Sequence, residues 1–275
     1  MDITNQMSTA KINRYLKKYR QIKFIAGIYN LTEPLIVYSD TKIDATGCTF
    51  QRQHDGRMLQ CYVTKNTTQY SGTKNVAWKG GVFIASTNIT NANVIVMFHC
   101  SDIIFSNITV DGCRGLHSIE INASQNIKIE NCAIKNQSVK PDASFREAIQ
   151  IDFANKDGLS LSGANGNALC YDGTPCKNIF IIGCSIMNCP NGIGTHTISV
   201  EEKYHENINI HNCNFNQITT YGIKILGMKN VTIKKCNTSI IVNKLKNAHR
   251  LAGGKVELPS YRYNSQVIID NIAFS

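Results

Sequence analysis

The chain has 275 residues, of which 43% are hydrophobic and 17% are charged. These values exclude an intrinsically disordered chain, and no run of apolar residues approaches the roughly 18 needed for a membrane-spanning helix. Lysine and arginine number 29 against 19 for aspartate and glutamate, and this net charge of +10 favours polyanionic partners such as acidic polysaccharide.

The N-terminal segment is predicted to cap the fold with a short helix. Ile12, Leu16 and Tyr19 recur at helical spacing within residues 9–20, and Ser8 or Thr9 is the candidate N-cap. Three strand-like runs follow: KFIAGIYNL, EPLIVYS and TKIDATGCTF. The segment lacks the apolar core of a signal peptide, so the localisation stays unknown, with secretion and a virion-associated location both open.

One pattern then recurs: Asn or Asp, a short alternating strand, and often Asn-Cys or Gly-Cys. The Asn or Asp positions are separated by 27, 24, 52, 29 and 23 residues, and they are Asn75, Asp102, Asn126, Asn178, Asn207 and Asn230. A period of about 20–30 residues, with alternating strands and no helical pattern between them, predicts a β-solenoid. Stacked coils of such a fold share one core.

Four cysteines fall at the same place in successive repeats. Stacking would bring them into an inward column of small apolar thiols. We favour this structural interpretation over metal binding, because each coil contributes one cysteine and no CxxC pair is formed. The column comprises Cys132, Cys184, Cys213 and Cys236.

No linker interrupts the chain, so the sequence predicts one domain over 1–275. We expect an N-terminal cap and first strands over 1–50, the coils over 51–240 and a C-terminal cap or loop over 241–275. Within the last region LAGGKVELPSYRY is a candidate long loop and QVIIDNIAF a last strand.

Four segments align as strands that precede the repeated Asn or Asp. Counting back nine residues from Asn126 and Asn230 aligns HSIEIN (117–122) with YGIKIL (221–226), and EAIQID (147–152) and NGIGTH (191–196) share their pattern. Isoleucines then stack inward and polar side chains face outward. The outward columns are His117, Glu147, Asn191 and Tyr221; Glu120, Gln150, Gly194 and Lys224; and Asn122, Asp152, His196 and Leu226.

We call these outward side chains the polar face, and they include groups suited to acid–base chemistry. Strands ~4.8 Å apart that rise ~3.3 Å per residue place the backbones of Glu120 and Asp152 about 8 Å apart. Carboxyl groups roughly 6.5–9.5 Å apart suit an inverting glycosidase. His196 would be the neighbour of Asp152 in the next coil and would tune it. Glu147 is the alternative member of the pair, so the catalytic candidates are Asp152, Glu120, Glu147 and His196.

Substrate-binding candidates surround this pair. Lys224 would bind a sugar acid or hydroxyl group, and two long insertions, 155–176 and 197–206, follow strands of the polar face. Loops on a rigid scaffold often carry function. The competing interpretation is a solvated sheet face with incidental charges. The remaining binding candidates are Gln150, His117, Asn191, Tyr221, Arg146, Tyr171 and His205.

These features together resemble the right-handed parallel β-helix proteins of the pectin-lyase-like superfamily, which includes polygalacturonases, pectate lyases, uronan epimerases and phage tailspike depolymerases. The segment IKFIAGIYNLTEPLIVYSDTKIDATGCTF is similar to the opening of many such chains. The resemblance covers nearly the whole chain. It implies an all-β fold, a single-stranded right-handed parallel β-helix (β-solenoid) with a short N-terminal capping helix. It specifies activity weakly, because this scaffold hosts many chemistries.

Polygalacturonases offer a partial match. Their paired-aspartate strand is similar to REAIQI, with Arg146 and Glu147 at the two aspartates. Their Gly-His-Gly strand resembles NGIG, with Asn191 in place of the histidine, and their Arg-Ile-Lys strand resembles GIKIL, with Lys224 at the arginine. All four of these positions carry a different residue, so the chain is not a standard polygalacturonase.

The leading functional hypothesis is an enzyme that cleaves a polysaccharide, with a glycoside hydrolase favoured. A lyase or epimerase of uronic-acid polymers is second, with Lys224 or His196 as base and Ca²⁺ on Asp152, Asp157 or Asp172. No contiguous calcium motif is present, so we predict no metal and leave Ca²⁺ open. The third hypothesis is a non-catalytic glycan-binding or phage-tail-like β-helix, for which a trimer would be typical. We expect no nucleic-acid partner.

Overall fold

The computed structural model describes residues 1–85, 92–138, 146–156, 159, 161–195, 203–225 and 227–238, and the backbone of four short strands beyond residue 240. Its helix α1 is Thr9–Lys18, capped by Ser8, whose Oγ accepts a hydrogen bond from the backbone N–H of Lys11 at 3.4 Å. Ile12 and Leu16 are buried against the core. The predicted capping helix is therefore confirmed. No helix in the described ranges is long and apolar enough to cross a membrane.

Short strands make up almost all the remaining regular structure. In chain order they are β1 (Asp2–Ile3), β2 (Gln21–Phe24), β3 (Gly27–Leu31), β4 (Leu35–Val37), β5 (Thr41–Asp44), β6 (Cys48–Arg52), β7 (Leu59–Cys61), β8 (Lys74–Lys79), β9 (Val82–Ile84), β10 (Ile95–Phe98), β11 (Ser101–Ser106), β12 (Thr109–Asp111), β13 (Ile119–Asn122), β14 (Gln125–Glu130), β15 (Ala133–Lys135), β16 (Glu147–Asp152), β17 (Lys177–Ile182), β18 (Ser185–Gly194), β19 (His205–His211), β20 (Asn214–Lys224), β21 (Met228–Lys234), β22 (Ile241–Val242), β23 (His249–Arg250), β24 (Val256–Glu257) and β25 (Val267–Asp270).

Each coil contributes strands to three faces, and every strand pair on these faces is parallel. Face 1 has the order β1-β2-β5-β8-β11-β14-β17-β19-β21-β25. Face 2 contains β3, β6, β9, β12 and β15, and face 3 contains β4, β7, β10, β13, β16 and β22. The long strands β18 and β20 run from face 2 into face 3, because their first residues pair with face 2 and their last with face 3. The fold is the predicted right-handed parallel β-helix.

The core is filled by inward isoleucines from successive coils. On face 3, Ile119 pairs with Ile149, Ile149 with Ile193 and Ile193 with Ile223, and all four are at most 1% exposed. Because side chains alternate along a strand, this pairing also sets which residues point outward. The predicted register is therefore confirmed for these strands, including β16 and β18, which were aligned by their shared pattern.

The cysteine column is confirmed as well. Cys132, Cys184, Cys213 and Cys236 are free and at most 2% exposed. Each thiol lies within hydrogen-bond distance of a backbone carbonyl of the preceding coil; for Cys184 this is Ile129 O at 3.6 Å. The thiols thus fill space and satisfy their S–H groups inside the core.

An asparagine ladder runs along one outer corner of the helix. Its residues have φ between 54° and 58°, a left-handed conformation that asparagine tolerates better than most residues. Nδ2 of Asn230 donates to Asn207, Asn207 to Asn178, Asn178 to Asn126 and Asn126 to Asp102, over 2.8–3.2 Å. Asp102 has no side-chain amide group to donate a further hydrogen bond, so this row of hydrogen bonds ends at Asp102.

The C-terminal region departs from the regular coil. Strand β25 (Val267–Asp270) pairs in parallel with β21, which confirms a last strand within QVIIDNIAF over these residues. Strands β23 and β24 form an antiparallel pair. Most of LAGGKVELPSYRY lies outside the described residues, and the single-domain organisation over 1–275 stays a prediction.

Candidate functional site

The polar face lies on the outer side of face 3, over β13, β16, β18 and β20. Glu120 pairs with Gln150, and Gln150 with Gly194. Glu147 pairs with Asn191, which pairs in turn with Tyr221. Asn122 and Asp152 are neighbours too. The structure therefore brings the described members of the predicted columns together.

Alternation alone would make this face solvent-exposed, but the structure buries it. Glu120, Glu147, Gln150, Asp152 and Asn191 are all 0% exposed. At one end of the face, apolar residues of the first insertion pack over the sheet. This cluster joins Leu159, Cys170 and Ala154 to Val96, Phe98 and Ala123. The polar side chains of face 3 thus form a covered network, in which unpaired polar groups would be costly.

Glu147 is the centre of a four-residue group that we call the Glu147 cluster. Its Oε1 accepts a hydrogen bond from the Tyr221 hydroxyl at 2.5 Å and lies 2.8 Å from Nζ of Lys224. Nδ1 of His117 lies 3.7 Å from Oε2 and 2.9 Å from the backbone carbonyl oxygen of Glu147. The Lys224 ammonium also sits 4.8 Å from the centroid of the Tyr221 ring. The Lys224 side chain is 12% exposed, so it links the cluster to solvent.

Burial sets the protonation states of two members of the Glu147 cluster, His117 and Tyr221. It lowers the pKa of His117 to about 4, so the imidazole is neutral near pH 7. Because a carbonyl oxygen can only accept, Nδ1 of this neutral ring carries the proton and donates to Glu147. Burial, and then the charge of Glu147, raise the pKa of Tyr221, so its phenol stays protonated. The carboxylate is therefore held by a phenol donor and an ammonium.

Glu120 occupies a second buried group. Its Oε1 accepts a hydrogen bond from Nδ2 of Asn122 at 2.9 Å, and its Oε2 accepts one from Nδ2 of Asn93. Burial raises the pKa of Glu120 to about 7, although these bonds and the charges of Arg57 and Arg146 oppose the rise. A carboxyl group that is partly protonated at neutral pH has the property required of a general acid.

Asp152 is held by its own strand. Its Oδ2 accepts a hydrogen bond from Nε2 of Gln150 and its Oδ1 one from the backbone N–H of Phe153, both at 2.9 Å. The expected partner His196 lies outside the described residues, as does Leu226. The pairing of Asp152 with His196, and the 8 Å separation from Glu120, stay predictions.

Two of the binding candidates contact the insertions and not the Glu147 cluster. The Tyr171 hydroxyl accepts a hydrogen bond from Leu161 N at 2.9 Å, and its ring lies 6.4 Å from that of Phe98. His205 is fully buried, with Nδ1 accepting from Cys176 N at 2.9 Å and its ring 4.1 Å from that of Phe153.

Two further binding candidates lie beside the cluster. Asn191 donates from Nδ2 to the backbone carbonyl oxygen of Arg146 at 3.4 Å. The charge of Arg146 lowers the pKa of both His117 and Glu120. Arg146 therefore influences both buried groups.

Two residues of the site were missing from the sequence prediction. Asn93 bonds Glu120 and also accepts from the backbone N–H of His117 at 2.9 Å. The signal for it was present, because Asn93 lies nine residues before Asp102, the same count that located His117. Arg57 precedes β7 and its charge acts on Glu120. No repeat count points to Arg57, because it lies in the connection before β7, ahead of the first repeated Asn.

The candidate calcium ligands do not converge in the described part of the chain, where no group of three or more His, Cys, Asp or Glu could hold a metal ion. Asp172 accepts hydrogen bonds from Gln69 N at 2.7 Å and Thr174 N at 2.9 Å, so its carboxylate already holds loop backbone. Burial raises the pKa of Asp172, but these bonds outweigh it and the pKa is lowered. Asp157 lies outside the described residues.

Comparisons with known proteins identify the fold. No protein-family model matches the chain, and no curated protein matches its sequence. The Streptococcus pneumoniae surface protein and adhesin PfbA is similar over 100% of this chain and 73% of its own, with 15% identity and a TM-score of 0.70. ORF18 of Geobacillus virus E2 matches 86% of this chain and 48% of its own, with 10% identity and a TM-score of 0.63.

An iota-carrageenase of family GH82 from A. fortis matches 86% of this chain and 54% of its own, with 13% identity and a TM-score of 0.53. At these identities the likeness shows the fold alone. The chain is a right-handed parallel β-helix protein.

Proposed function

We propose that this chain cleaves a polysaccharide, with Glu147 and Glu120 as its acid–base carboxyl groups. The observation that carries the proposal is the Glu147 cluster. The fully buried Glu147 carboxylate accepts a hydrogen bond from the Tyr221 hydroxyl and pairs with the Lys224 ammonium, and the Lys224 side chain is partly open to solvent. Perturbed titratable groups in one cluster are typical of active sites. The iota-carrageenase, which has the same fold, supports a carbohydrate as substrate.

The two carboxyl groups suit different roles. Glycoside hydrolysis needs one protonated carboxyl to donate to the leaving oxygen and one carboxylate to activate water or attack the sugar. Glu120, with a pKa raised to about 7, is suited to donate the proton. Glu147 is suited to be the carboxylate, because the neighbouring ammonium of Lys224 favours its charged form. Lys224 would also bind a hydroxyl or acidic group of the sugar.

A second candidate function is glycan binding without cleavage. It is favoured by the complete burial of Glu120, Glu147 and Asp152, since a sealed and hydrogen-bonded network also serves a purely structural role. The adhesin with the same fold supports it as well.

The test is incubation of the full chain with acidic and neutral polysaccharides, with and without Ca²⁺, following new reducing ends and unsaturated sugar products. The matched variants are Glu147→Gln, Glu120→Gln and Glu130→Gln. Glu130 is the control, because its carboxylate is ion-paired with Lys128 on face 1, away from the polar face. We expect Glu147→Gln and Glu120→Gln to lose about 100-fold or more of the cleavage rate and Glu130→Gln to keep it.

Reducing ends without unsaturated products would identify a hydrolase, and unsaturated products a lyase. Circular dichroism and urea unfolding of each variant separate lost chemistry from lost folding. No product from any glycan, or full activity in a folded Glu147→Gln variant, would overturn the proposal and leave binding without cleavage as the better hypothesis.

A further inference from the structure

A second site lies at the edge where face 3 turns into face 1, and none of its lining residues belongs to the Glu147 cluster. It is a groove of about 380 Å³. Its walls come from the segment before β8, from the ends of both insertions and from the first residues of β17, β19 and β21. The residues that give it its chemistry are Lys177, Lys203, Lys229, Tyr70, Tyr204 and Glu206.

The groove carries a positive charge arranged around one carboxylate. Nζ of Lys229 lies 2.6 Å from Oε1 of Glu206, and Nζ of Lys177 lies 3.6 Å from its Oε2. Nζ of Lys203 donates to the backbone carbonyl of Asp172 at 3.2 Å. Two ammonium groups thus pair with the Glu206 carboxylate, and Lys203 adds a third to the same lining. The Asp172 carboxylate holds the backbone N–H groups of two lining residues, so three ammonium groups stand against two carboxylates, a local excess of one positive charge. The side chains of Lys177 and Lys229 are 41% and 43% exposed, so both remain open to a ligand.

Two tyrosine rings lie beside these charges. The Tyr204 ring has the Lys229 ammonium 5.7 Å from its centroid. The Tyr70 hydroxyl donates to the backbone carbonyl of Pro175 at 2.9 Å, which ties the ring to the groove wall. An amphipathic aromatic side chain offers an apolar ring face to one part of a ligand and a polar edge to another. The groove therefore combines fixed aromatic surface with cations.

We propose that this groove binds the anionic sugar units of an acidic polysaccharide, those that carry a carboxylate or a sulfate group. The lysines would meet the anion, and the tyrosine rings would meet the apolar face of the sugar ring. Glu206 opposes any anion by its charge, but it can accept hydrogen bonds from the hydroxyl groups of a sugar, which a phosphodiester backbone of DNA lacks, and this favours the sugar as ligand. The inference rests on the proposed function only in taking a glycan as the ligand.

The test measures binding in the Glu147→Gln background, so that cleavage does not enter it. The probes are polygalacturonate, a sulfated galactan, neutral dextran and single-stranded DNA, titrated calorimetrically at low and high salt. The variant is Lys177→Gln/Lys229→Gln. The matched control is Lys128→Gln/Lys135→Gln. These lysines are also ion-paired and are 40% and 37% exposed, and their substitution removes the same charge.

We expect the groove double variant to raise the Kd for an acidic glycan by about tenfold or more, the control to change it less than about twofold, and dextran to bind weakly to all forms. Equal losses in both double variants would show a general charge effect and overturn the proposal. Tighter binding of DNA than of either acidic glycan, or an unchanged Kd in the groove variant, would also overturn it. Cleavage by the wild-type chain is scored separately, so either proposal can fail alone.

Discussion

The Lys224 ammonium lies 2.8 Å from a Glu147 carboxylate that is 0% exposed, whereas Lys229 makes a pair of similar length, 2.6 Å, with a Glu206 side chain that is 28% exposed. The two pairs share their geometry and differ in their solvation. Removing one partner of a buried pair leaves an uncompensated charge, but water replaces the partner of an exposed one. Similar contacts should therefore contribute very different stabilities.

This contrast predicts different costs for the same substitution. We expect Lys224→Met to lower the free energy of unfolding by about 3 kcal/mol and Lys229→Met to lower it by less than about 1 kcal/mol. Urea unfolding at neutral pH measures both. Equal losses in the two variants would show that burial of Glu147 does not govern its pairing.

Glu120 predicts a dependence of stability on pH. Its pKa is raised from 4.5 to about 7 in the folded chain, so folding favours the protonated form. The stability that this group contributes is fully present below pH 4.5 and is lost as the pH rises through 7. Glu120→Gln imitates the protonated form. Between pH 4.5 and 8 the variant should therefore gain about 3 kcal/mol relative to the wild-type chain, measured by urea unfolding across this range.

For His205 we expect the opposite dependence of stability on pH. Burial lowers its pKa from 6.5 to about 3, so folding favours the neutral ring. Its contribution is fully present above pH 6.5 and is lost as the pH falls through 3. His205→Gln keeps an acceptor for Cys176 N and cannot titrate. Its stability should fall less steeply than that of the wild-type chain between pH 6.5 and 3, as followed by circular dichroism during acid unfolding. Parallel acid-unfolding curves would contradict this account.

The burial of the cysteines predicts that their thiols react with a disulfide reagent only after the chain unfolds. The chain has 11 cysteines, and all are free and buried. Burial raises the pKa of Cys113 and of Cys176 to about 12, and the protonated thiol is a poor nucleophile. We expect almost no reaction with a disulfide reagent in the native chain and 11 equivalents in denaturant. Rapid reaction of several thiols in the native state would contradict the burial of the cysteines.

The asparagine ladder predicts an unusual ranking of substitutions at Asn178. This residue has φ 54°, donates to Asn126 and accepts from Asn207. Asn178→Gly keeps the left-handed backbone and loses the side-chain bonds, so we expect a cost of about 1 kcal/mol. Asn178→Ala also strains the backbone and should cost about 1 kcal/mol more.

Asn178→Asp separates the ladder from backbone preference, because aspartate tolerates the same φ but cannot donate to Oδ1 of Asn126. We expect it to be less stable than Asn178→Gly in thermal unfolding. An Asp variant as stable as the wild-type chain would show that the ladder bonds contribute nothing.

The sequence alone determined the repeat, the capping helix and the register of the polar face. These follow from local chemistry: apolar residues alternate with period two, Asn or Asp recurs at each corner, and Ser8 precedes an amphipathic turn. Counting back from the repeated Asn aligned HSIEIN with YGIKIL. The pattern that EAIQID and NGIGTH share with these two segments then paired Glu120 with Gln150 and Glu147 with Asn191. The same count would also have found Asn93.

The tertiary structure alone decided which polar groups are buried and which groups they contact through hydrogen bonds and ion pairs. The first insertion has no period, so no count could show that its Leu159 and Cys170 pack over face 3. Likewise, Tyr221 and Lys224 lie more than 70 residues after Glu147. Their side chains reach its Oε1 across β18, the strand that lies between β16 and β20. Periodicity fixes the direction of a side chain, but its solvation, and hence its pKa, depends on long-range packing that no local pattern encodes.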